Sequence, residues 1–92
     1  MRTLSAQEVA SHLDALPEWR IEAGELTRTF AFRDFPAALA FVNRVGERAE
    51  AAGHHPDIDI RYNRVRLGLV THDAGGLTVK DFELASAVNK LL

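Results

Sequence analysis

Hydrophobic residues follow helical spacing in three segments of the chain and strand alternation in the two segments between them. The first helical segment begins at Ser5, which stands three residues before Glu8, the spacing of a capping box. Its apolar stripe is formed by Val9, Leu13 and Leu16. Pro17 ends this helix, because proline cannot continue the hydrogen-bond pattern.

The first alternating segment predicts a β-hairpin. Leu26, Phe30 and Phe32 share one strand face, and a turn at Ala23-Gly24-Glu25 separates them from the alternating Trp19-Arg20-Ile21. Given these strand partners, Trp19 is more typical of a core residue than of a surface that stacks on a ligand.

A second helix is predicted between Asp34 and Ala52. Asp34 suits the N-cap, and Pro36 suits the first turn, where a missing N–H costs little. The helix should end at Ala52, because Gly53 is well suited to the left-handed residue that follows a helix. Its predicted buried face consists of Leu39, Val42, Val45 and Ala49, widened by Phe35, Ala38 and Phe41.

The second alternating segment predicts another hairpin, with a two-residue turn at Asn63-Arg64. In that register residue 62 faces 65, residue 60 faces 67 and residue 58 faces 69. All six apolar residues of the hairpin then lie on one face, which supports the pairing. Extending the ladder places His55 opposite His72, and we therefore expect the two histidine-containing runs to lie close together.

The third helix is predicted to begin at Thr78, after the flexible Gly75-Gly76. Thr78 suits the N-cap and Asp81 the capping-box position, so Asp81 also has a purely structural interpretation. The expected buried face of this third helix is formed by Phe82, Ala85, Val88 and Leu92.

The order of these elements, α-β-β-α-β-β-α, predicts an α+β fold in which two hairpins join into one antiparallel sheet and helices cover its apolar face. Ninety-two residues fit a single domain, residues 1–92. The exposed sheet face and edge would favour homo-oligomers.

Composition narrows the classes of function. Eleven basic and 13 acidic residues give a formal charge of -2, unlike a typical nucleic-acid-binding domain. Cysteine is absent, which excludes disulfides and thiolate nucleophiles. There is no apolar run of about 20 residues, as a membrane span needs, and no signal-peptide pattern. We therefore expect a soluble, cytoplasmic protein that binds neither nucleic acid nor membrane directly.

Candidate chemistry is concentrated in Glu50-Ala-Ala-Gly-His54-His55-Pro56 and in Thr71-His72-Asp73, which hold three of the four histidines. Glu50 falls in the last turn of the second helix, where the helix dipole disfavours a carboxylate. Such conflicts are more common at functional positions, although a simple exposed carboxylate explains Glu50 nearly as well.

Three interpretations of this histidine cluster are open. The cluster could bind a divalent metal, although adjacent histidines on an extended chain point in different directions and no HExxH motif is present. It could fill polar ends of strands, the default for one histidine. Or it could supply general acids and bases to a polar organic substrate, for which a pKa near neutrality is well suited. Elimination or addition of water needs only such placed groups.

The run Glu50-xxx-His54-His55-Pro56, followed by Tyr62, Thr71-His72 and Asp81, resembles the signature of the pterin-4a-carbinolamine dehydratases. Phe32-Arg-Asp-Phe35, Tyr62-Asn63-x-Val65 and the stretch from Asp81 to Leu84-Ala85 extend the resemblance to nearly the whole chain. It implies a four-stranded antiparallel sheet with three helices on one face, and dimers or tetramers built from dimers.

The resemblance also implies a reaction, loss of the 4a-hydroxyl from 4a-hydroxytetrahydropterin to give quinonoid dihydropterin. His54, His55 and His72 would line the site, with His54 and His72 transferring protons and His55 mainly binding substrate. Glu50 and Asp81 would support orientation or protonation state, and Pro56 belongs to the same motif. The resemblance implies no metal or organic cofactor, since the pterin is the substrate, and an aromatic amino acid hydroxylase would be its source.

Two features leave the function open. After Pro56 many family members have an acidic residue and an aromatic pair, whereas here Asp57-Ile58-Asp59-Ile60 follows, so pterin stacking or preference is expected to differ. Some family members act instead as transcriptional coactivators or scaffolds. The second helix would carry such a surface, with Arg44, Glu47 and Arg48 on its exposed face, although the intact acid–base set favours an enzyme.

Overall fold

The computed structural model describes residues 1–92 and contains three α-helices and one four-stranded antiparallel sheet. The helices are α1 (Ala6–Asp14), α2 (Phe35–Ala52) and α3 (Val79–Asn89), and the strands are β1 (Arg20–Glu22), β2 (Glu25–Ala31), β3 (Asp57–Arg61) and β4 (Arg64–Leu69). A short 3₁₀ turn, His72–Ala74, follows β4. The order and the α+β class confirm the prediction from the sequence. None of the helices combines the length and apolar character that crossing a bilayer requires.

The sheet has the strand order β1-β2-β4-β3, so β2 and β4 form its centre and join the two hairpins. Their antiparallel register runs from Leu26 opposite Leu69 to Ala31 opposite Arg64. This pairing places the end of β4 next to the start of β3. The chain leaves β4 there and enters the turn that carries His72.

The helix boundaries follow the predicted capping residues. Ser5 accepts a hydrogen bond from the backbone N–H of Glu8, whose side chain accepts in return from the Ser5 N–H. Asp34 accepts from the N–H of Ala37 at 2.9 Å. Gly53 ends α2 in the left-handed conformation with φ 63°. These local signals lie within one turn of each helix end, which is why the sequence alone reveals them.

One hydrophobic core lies between the apolar sheet face and the helices. Trp19 is buried in it, as predicted. On α2, the buried residues are shifted from the predicted stripe, because Leu39 and Phe35 are 40% and 43% exposed. Leu92 is also exposed. Leu16, just after α1, also belongs to the core. The remaining core side chains from α2 and α3 are Ala38, Phe41, Val45, Ala49, Phe82, Leu84, Ala85 and Val88, and those from the strands are Leu26, Phe30, Val65, Leu67 and Leu69.

The predicted register of the second hairpin was wrong by two residues. The turn is Tyr62-Asn63, and Ile58 lies opposite Leu67 rather than opposite Leu69. Tyr62 has φ 52° and is 67% exposed. A shift of two keeps the same residues on the same face, so alternation could not distinguish the two registers.

Gly53 provides a direct test of the end of α2. The Gly53→Ala variant should lose about 1 kcal/mol of unfolding free energy, because a Cβ is disfavoured in the left-handed conformation. Gly46→Ala is the matched control: it lies inside α2, where an added Cβ meets no atom within 4 Å. That variant should gain about 0.5–1 kcal/mol. Urea unfolding followed by circular dichroism measures both, and equal stabilisation of the two variants would contradict the left-handed end at Gly53.

Candidate active site

The end of α2 sends two adjacent histidines in different directions. After Gly53, the backbone N–H of His54 donates to the carbonyl of Ala49 at 3.1 Å, which turns the chain back over the last helical turn. The His54 side chain is only 10% exposed, whereas that of His55 is 66% exposed. The two neighbours therefore have different environments, one inside the protein and one at its surface.

His54 is paired with Asp81 across the fold. Its Nε2 lies 2.6 Å from Asp81 Oδ1. Asp81 is fully buried in the first turn of α3, where the positive end of the helix dipole favours a carboxylate. This contact joins the end of α2 to the start of α3, 27 residues later.

The second oxygen of Asp81 is held by two donors. Its Oδ2 accepts hydrogen bonds from the Thr71 hydroxyl and from the backbone N–H of Thr78, both at 2.9 Å. The hydroxyls of Thr71 and Thr78 lie 2.8 Å apart. Asp81 thus has the predicted capping position at α3 and also holds a histidine, so the structural and functional interpretations of this residue are compatible.

Glu50 pairs with the outer histidine. Its Oε1 lies 2.8 Å from His55 Nε2, and both side chains are largely exposed. No basic residue occupies the last turn of α2, and the side-chain partner of Glu50 at this helix end is His55. An exposed pair of this kind orients a side chain but contributes little to stability.

His72 lies at the other side of the site. It begins the 3₁₀ turn directly after Thr71 and is exposed. The backbone carbonyl of Thr71 accepts hydrogen bonds from residues within this turn. The backbone N–H of Thr71 donates to the carbonyl of Gly76 at 3.1 Å. Pairing of β3 with β4 stops at Asp57 and Gly68. The prediction that His55 lies opposite His72 in the ladder was therefore wrong.

The three histidines nevertheless border one open cavity of about 240 Å³. We call it the histidine cavity. Its other lining residues are Gly53, Val70, Thr71, Asp73 and Lys80. Among the predicted site residues, Glu50, Pro56 and Asp81 do not line it. Asp81 lies behind His54, Glu50 lies beside His55, and Pro56 leads into β3.

Size does not distinguish this cavity from the others. The largest one, about 450 Å³, lies between α1 and α3 and contains a single histidine, His12, whose ring stacks on Phe82. A polar cavity of about 300 Å³ at β1 and β2 contains none. The histidine cavity is chosen for its chemistry, since it alone gathers several groups that exchange protons near neutrality.

No group of three or more histidine, aspartate or glutamate side chains is arranged as a set of metal ligands. His54 and His55 each have one ring nitrogen committed to a carboxylate, in two separate pairs. These pairs are what an acid–base site requires, namely rings held in fixed orientations.

Sequence reasoning did not anticipate the part played by Thr71, Thr78 and Lys80. From the sequence, Thr78 was predicted only as a helix cap. Thr71 was identified as part of the run Thr71-His72-Asp73, but no contact of its side chain was predicted. Capping signals are local, whereas the hydroxyl contact between these threonines depends on how the loop folds back onto α3. Lys80 reaches the cavity because it belongs to the exposed first turn of that helix.

The chain is similar to known proteins over almost its whole length. Residues 2–91 match the family model described as pterin 4 alpha carbinolamine dehydratase. Curated relatives named as candidate pterin-4-alpha-carbinolamine dehydratases include one from Acidobacterium capsulatum, 59% identical with all of both chains covered. Another, from Chloroflexus aurantiacus, is 60% identical over all of this chain and 99% of its own.

Two solved structures share the fold. The crystal structure of a transcriptional coactivator/pterin dehydratase from Brucella melitensis superposes with a TM-score of 0.93 at 34% identity, covering 98% of each chain. A pterin dehydratase-like RuBisCO assembly factor of the α-carboxysome has a TM-score of 0.64 at 23% identity over 79% of this chain and 84% of its own, which shows the fold alone. Sequence match and fold agree: this chain belongs to the pterin-4a-carbinolamine dehydratase family.

Proposed function

We propose that this protein is a hydro-lyase that dehydrates 4a-hydroxytetrahydropterin, the 4a-carbinolamine, to quinonoid dihydropterin by histidine general acid–base catalysis. The observation that carries the proposal is the convergence of His54, His55 and His72 on one cavity, with His54 held by a buried carboxylate. Family membership over residues 2–91 supplies the class of substrate.

The chemistry requires two proton transfers and no covalent intermediate. One group protonates the departing 4a-hydroxyl, which leaves as water, while another accepts the proton from N5 of the pterin. We assign these transfers to His54 and His72, which approach the cavity from opposite elements, the end of α2 and the turn after β4. Each positioned acid or base typically contributes about 10²–10⁴-fold.

His55 is assigned mainly to substrate binding. Its ring is exposed and held by Glu50, so its orientation is fixed without burial. A polar heterocycle with several N–H groups and a carbonyl group can form hydrogen bonds with such a ring. Asp81 orients His54, Glu50 orients His55, and Pro56 directs the chain from these residues into β3. The proposal includes no metal or organic cofactor.

The experiment that tests the function is a stopped-flow assay of carbinolamine dehydration with the purified protein. We expect acceleration over the uncatalysed reaction at stoichiometries well below one. Chelators should not change the rate, and elemental analysis finding one metal per chain would instead support metal-assisted chemistry. A rate no faster than buffer alone would contradict the enzymatic proposal.

The His72→Ala variant should lose about 10²–10⁴-fold in dehydration rate, because one of the two transferring groups is absent. Its stability should change little, since the His72 side chain is exposed and has no hydrogen-bond partner in the structure. His12→Ala is the matched control, a histidine outside the histidine cavity. Equal rates for His72→Ala and His12→Ala would remove His72 from the mechanism.

A second candidate function is binding of a protein partner, as a scaffold or coactivator. It is favoured by the similarity to the Brucella melitensis protein, which is described as a transcriptional coactivator/pterin dehydratase. On this chain, Arg44, Glu47 and Arg48 line a shallow depression on α2. Loss of activity in the dehydration assay, together with a partner recovered through this surface, would favour the second function.

We also propose that the protein forms a homodimer or homotetramer in the cytoplasm and receives its pterin from an aromatic amino acid hydroxylase. The exposed apolar side chains Phe35, Leu39 and Ile58 support self-association. Sedimentation velocity would measure the oligomeric state. Asp57-Ile58-Asp59-Ile60 replaces the aromatic pair expected after Pro56, so we expect pterin stacking or substrate preference to differ from that of family members with the pair.

A further inference from the structure

We infer that the buried hydroxyls of Thr78 and Thr71 form a positioning relay that keeps the proton of neutral His54 on Nε2 and leaves the Nδ1 lone pair open to the histidine cavity. This inference rests on the proposed function only where it concerns the rate of dehydration. The arrangement of protons is a property of the free protein and is measurable without substrate.

The direction of the relay follows from counting protons. The backbone N–H of Lys80 donates to Thr78 Oγ1 at 3.3 Å, so one lone pair of that hydroxyl is used by the helix cap. The acceptor in contact with the Thr78 hydroxyl proton is Thr71 Oγ1, at 2.8 Å. Thr78 is the donor between the two hydroxyls, because the single hydroxyl proton of Thr71 goes to Asp81 Oδ2.

Thr71 must then donate onward. Its own hydroxyl has one proton, and its second polar neighbour is Asp81 Oδ2 at 2.9 Å. If that proton pointed to Thr78 instead, a hydroxyl lone pair would face a carboxyl oxygen across 2.9 Å in a buried site, which is repulsive. Thr71 is 8% exposed and Thr78 fully buried, and both hydroxyls have hydrogen-bond partners within the protein.

Asp81 Oδ2 thus receives two donors, from the Thr71 hydroxyl and the Thr78 backbone N–H. Both partners are donors, and a carboxylate oxygen can accept from them without a proton of its own. A carboxylate accepts and cannot donate. The contact of 2.6 Å between Oδ1 and His54 therefore has its proton on Nε2.

The other ring nitrogen of His54 is the one available for chemistry. The structure contains no buried side-chain nitrogen or oxygen without a hydrogen-bond partner. Nδ1 forms no hydrogen bond within the protein, so this atom is accessible from the cavity that His54 lines. With the proton fixed on Nε2, Nδ1 accepts a proton, and His54 is the base of the pair while His72 is the acid.

The Thr71→Val variant removes the hydroxyl and keeps the branched shape. We expect kcat to fall about tenfold with little change in KM, the loss of one hydrogen bond to a charged group. Thr71→Ser, which restores the hydroxyl, should return kcat to within about twofold of the wild type. A purely structural role would be shown by equal losses in both variants and would overturn the relay.

Nitrogen-15 NMR of the free wild-type protein tests the proton arrangement directly. His54 is assigned by comparison with the His54→Gln variant, and its spectrum should show a protonated Nε2 and an unprotonated Nδ1. In Thr71→Val the share of this tautomer should fall. A wild-type His54 protonated on Nδ1 would place the shared proton on Asp81 and overturn the inference, even if Thr71→Val proved unable to fold. Absence of dehydratase activity with the expected tautomer would contradict the proposed function and leave the relay supported.

Discussion

The His54→Ala variant should lose about 10²–10⁴-fold of its dehydration rate and should also be less stable than the wild type. The rate falls because the ring that exchanges a proton with the pterin is gone. Stability falls because Asp81 Oδ1 is left buried without its partner, which typically costs about 1–3 kcal/mol. Stopped-flow kinetics and urea unfolding measure the two effects separately.

His54→Gln separates chemistry from burial. Its amide N–H can still donate to Asp81, so stability should be restored towards the wild type, but it cannot exchange protons near neutrality and the rate should stay low. His55→Ala is the surface control, with a change in stability within about 0.5 kcal/mol, because its pair with Glu50 is exposed. A wild-type rate in His54→Gln would show that His54 binds without transferring a proton.

The Asp81→Asn variant should fold and lose about 10²–10⁴-fold in kcat. The amide oxygen can accept from Thr71 and Thr78, which turns the amide N–H₂ towards His54 Nε2. Two donors cannot face each other, so the His54 proton moves to Nδ1 and the base is blocked. Loss of the correct tautomer by the equivalent change in a serine protease triad costs about 10⁴-fold.

Asp81→Ala should be more damaging to the fold. It leaves the Thr71 hydroxyl, the Thr78 N–H and the ring of His54 without their common acceptor, and we expect about 3 kcal/mol of destabilisation. Glu83 is an exposed carboxylate on the same helix, and Glu83→Gln is the matched control. It should change neither kcat nor the free energy of unfolding. If Asp81→Asn kept full activity, orientation of His54 by this carboxylate would be unnecessary.

Local signals in the sequence predict most of this fold. Where the prediction and the structure differ, contacts between distant residues are the reason. The helix ends at Ser5 and Gly53 depend on neighbouring residues and were predicted. The turn of the second hairpin was not, because Asn63 is held by a distant partner: its Nδ2 donates to the Phe32 carbonyl at 2.8 Å and its carbonyl accepts from the Phe32 N–H at 2.9 Å. Alternation along β3 and β4 contains no information about that contact.

The α2 stripe shows the same limit. Helical spacing alone fits a face through Leu39 as well as one through Ala38, and the packing partners on the sheet select the latter. At the site, proximity of the histidines was predicted from an incorrect ladder, and they meet because the 3₁₀ turn returns His72 to the end of α2. The pairing of His54 with Asp81 could not be predicted, because the sequence does not indicate which of two adjacent histidines has its side chain buried.

The central pairing of β2 with β4 has a kinetic consequence. Its partners are separated by 33 residues at one end, from Ala31 to Arg64, and by 43 at the other, from Leu26 to Leu69. Pairings between such distant segments form slowly compared with helices. Because β4 must be in place before the loop after it can reach α2 and α3, the histidine cavity is assembled late. During refolding, helical structure should therefore be regained before catalytic competence, and a nascent chain would have no site until its last helix had emerged.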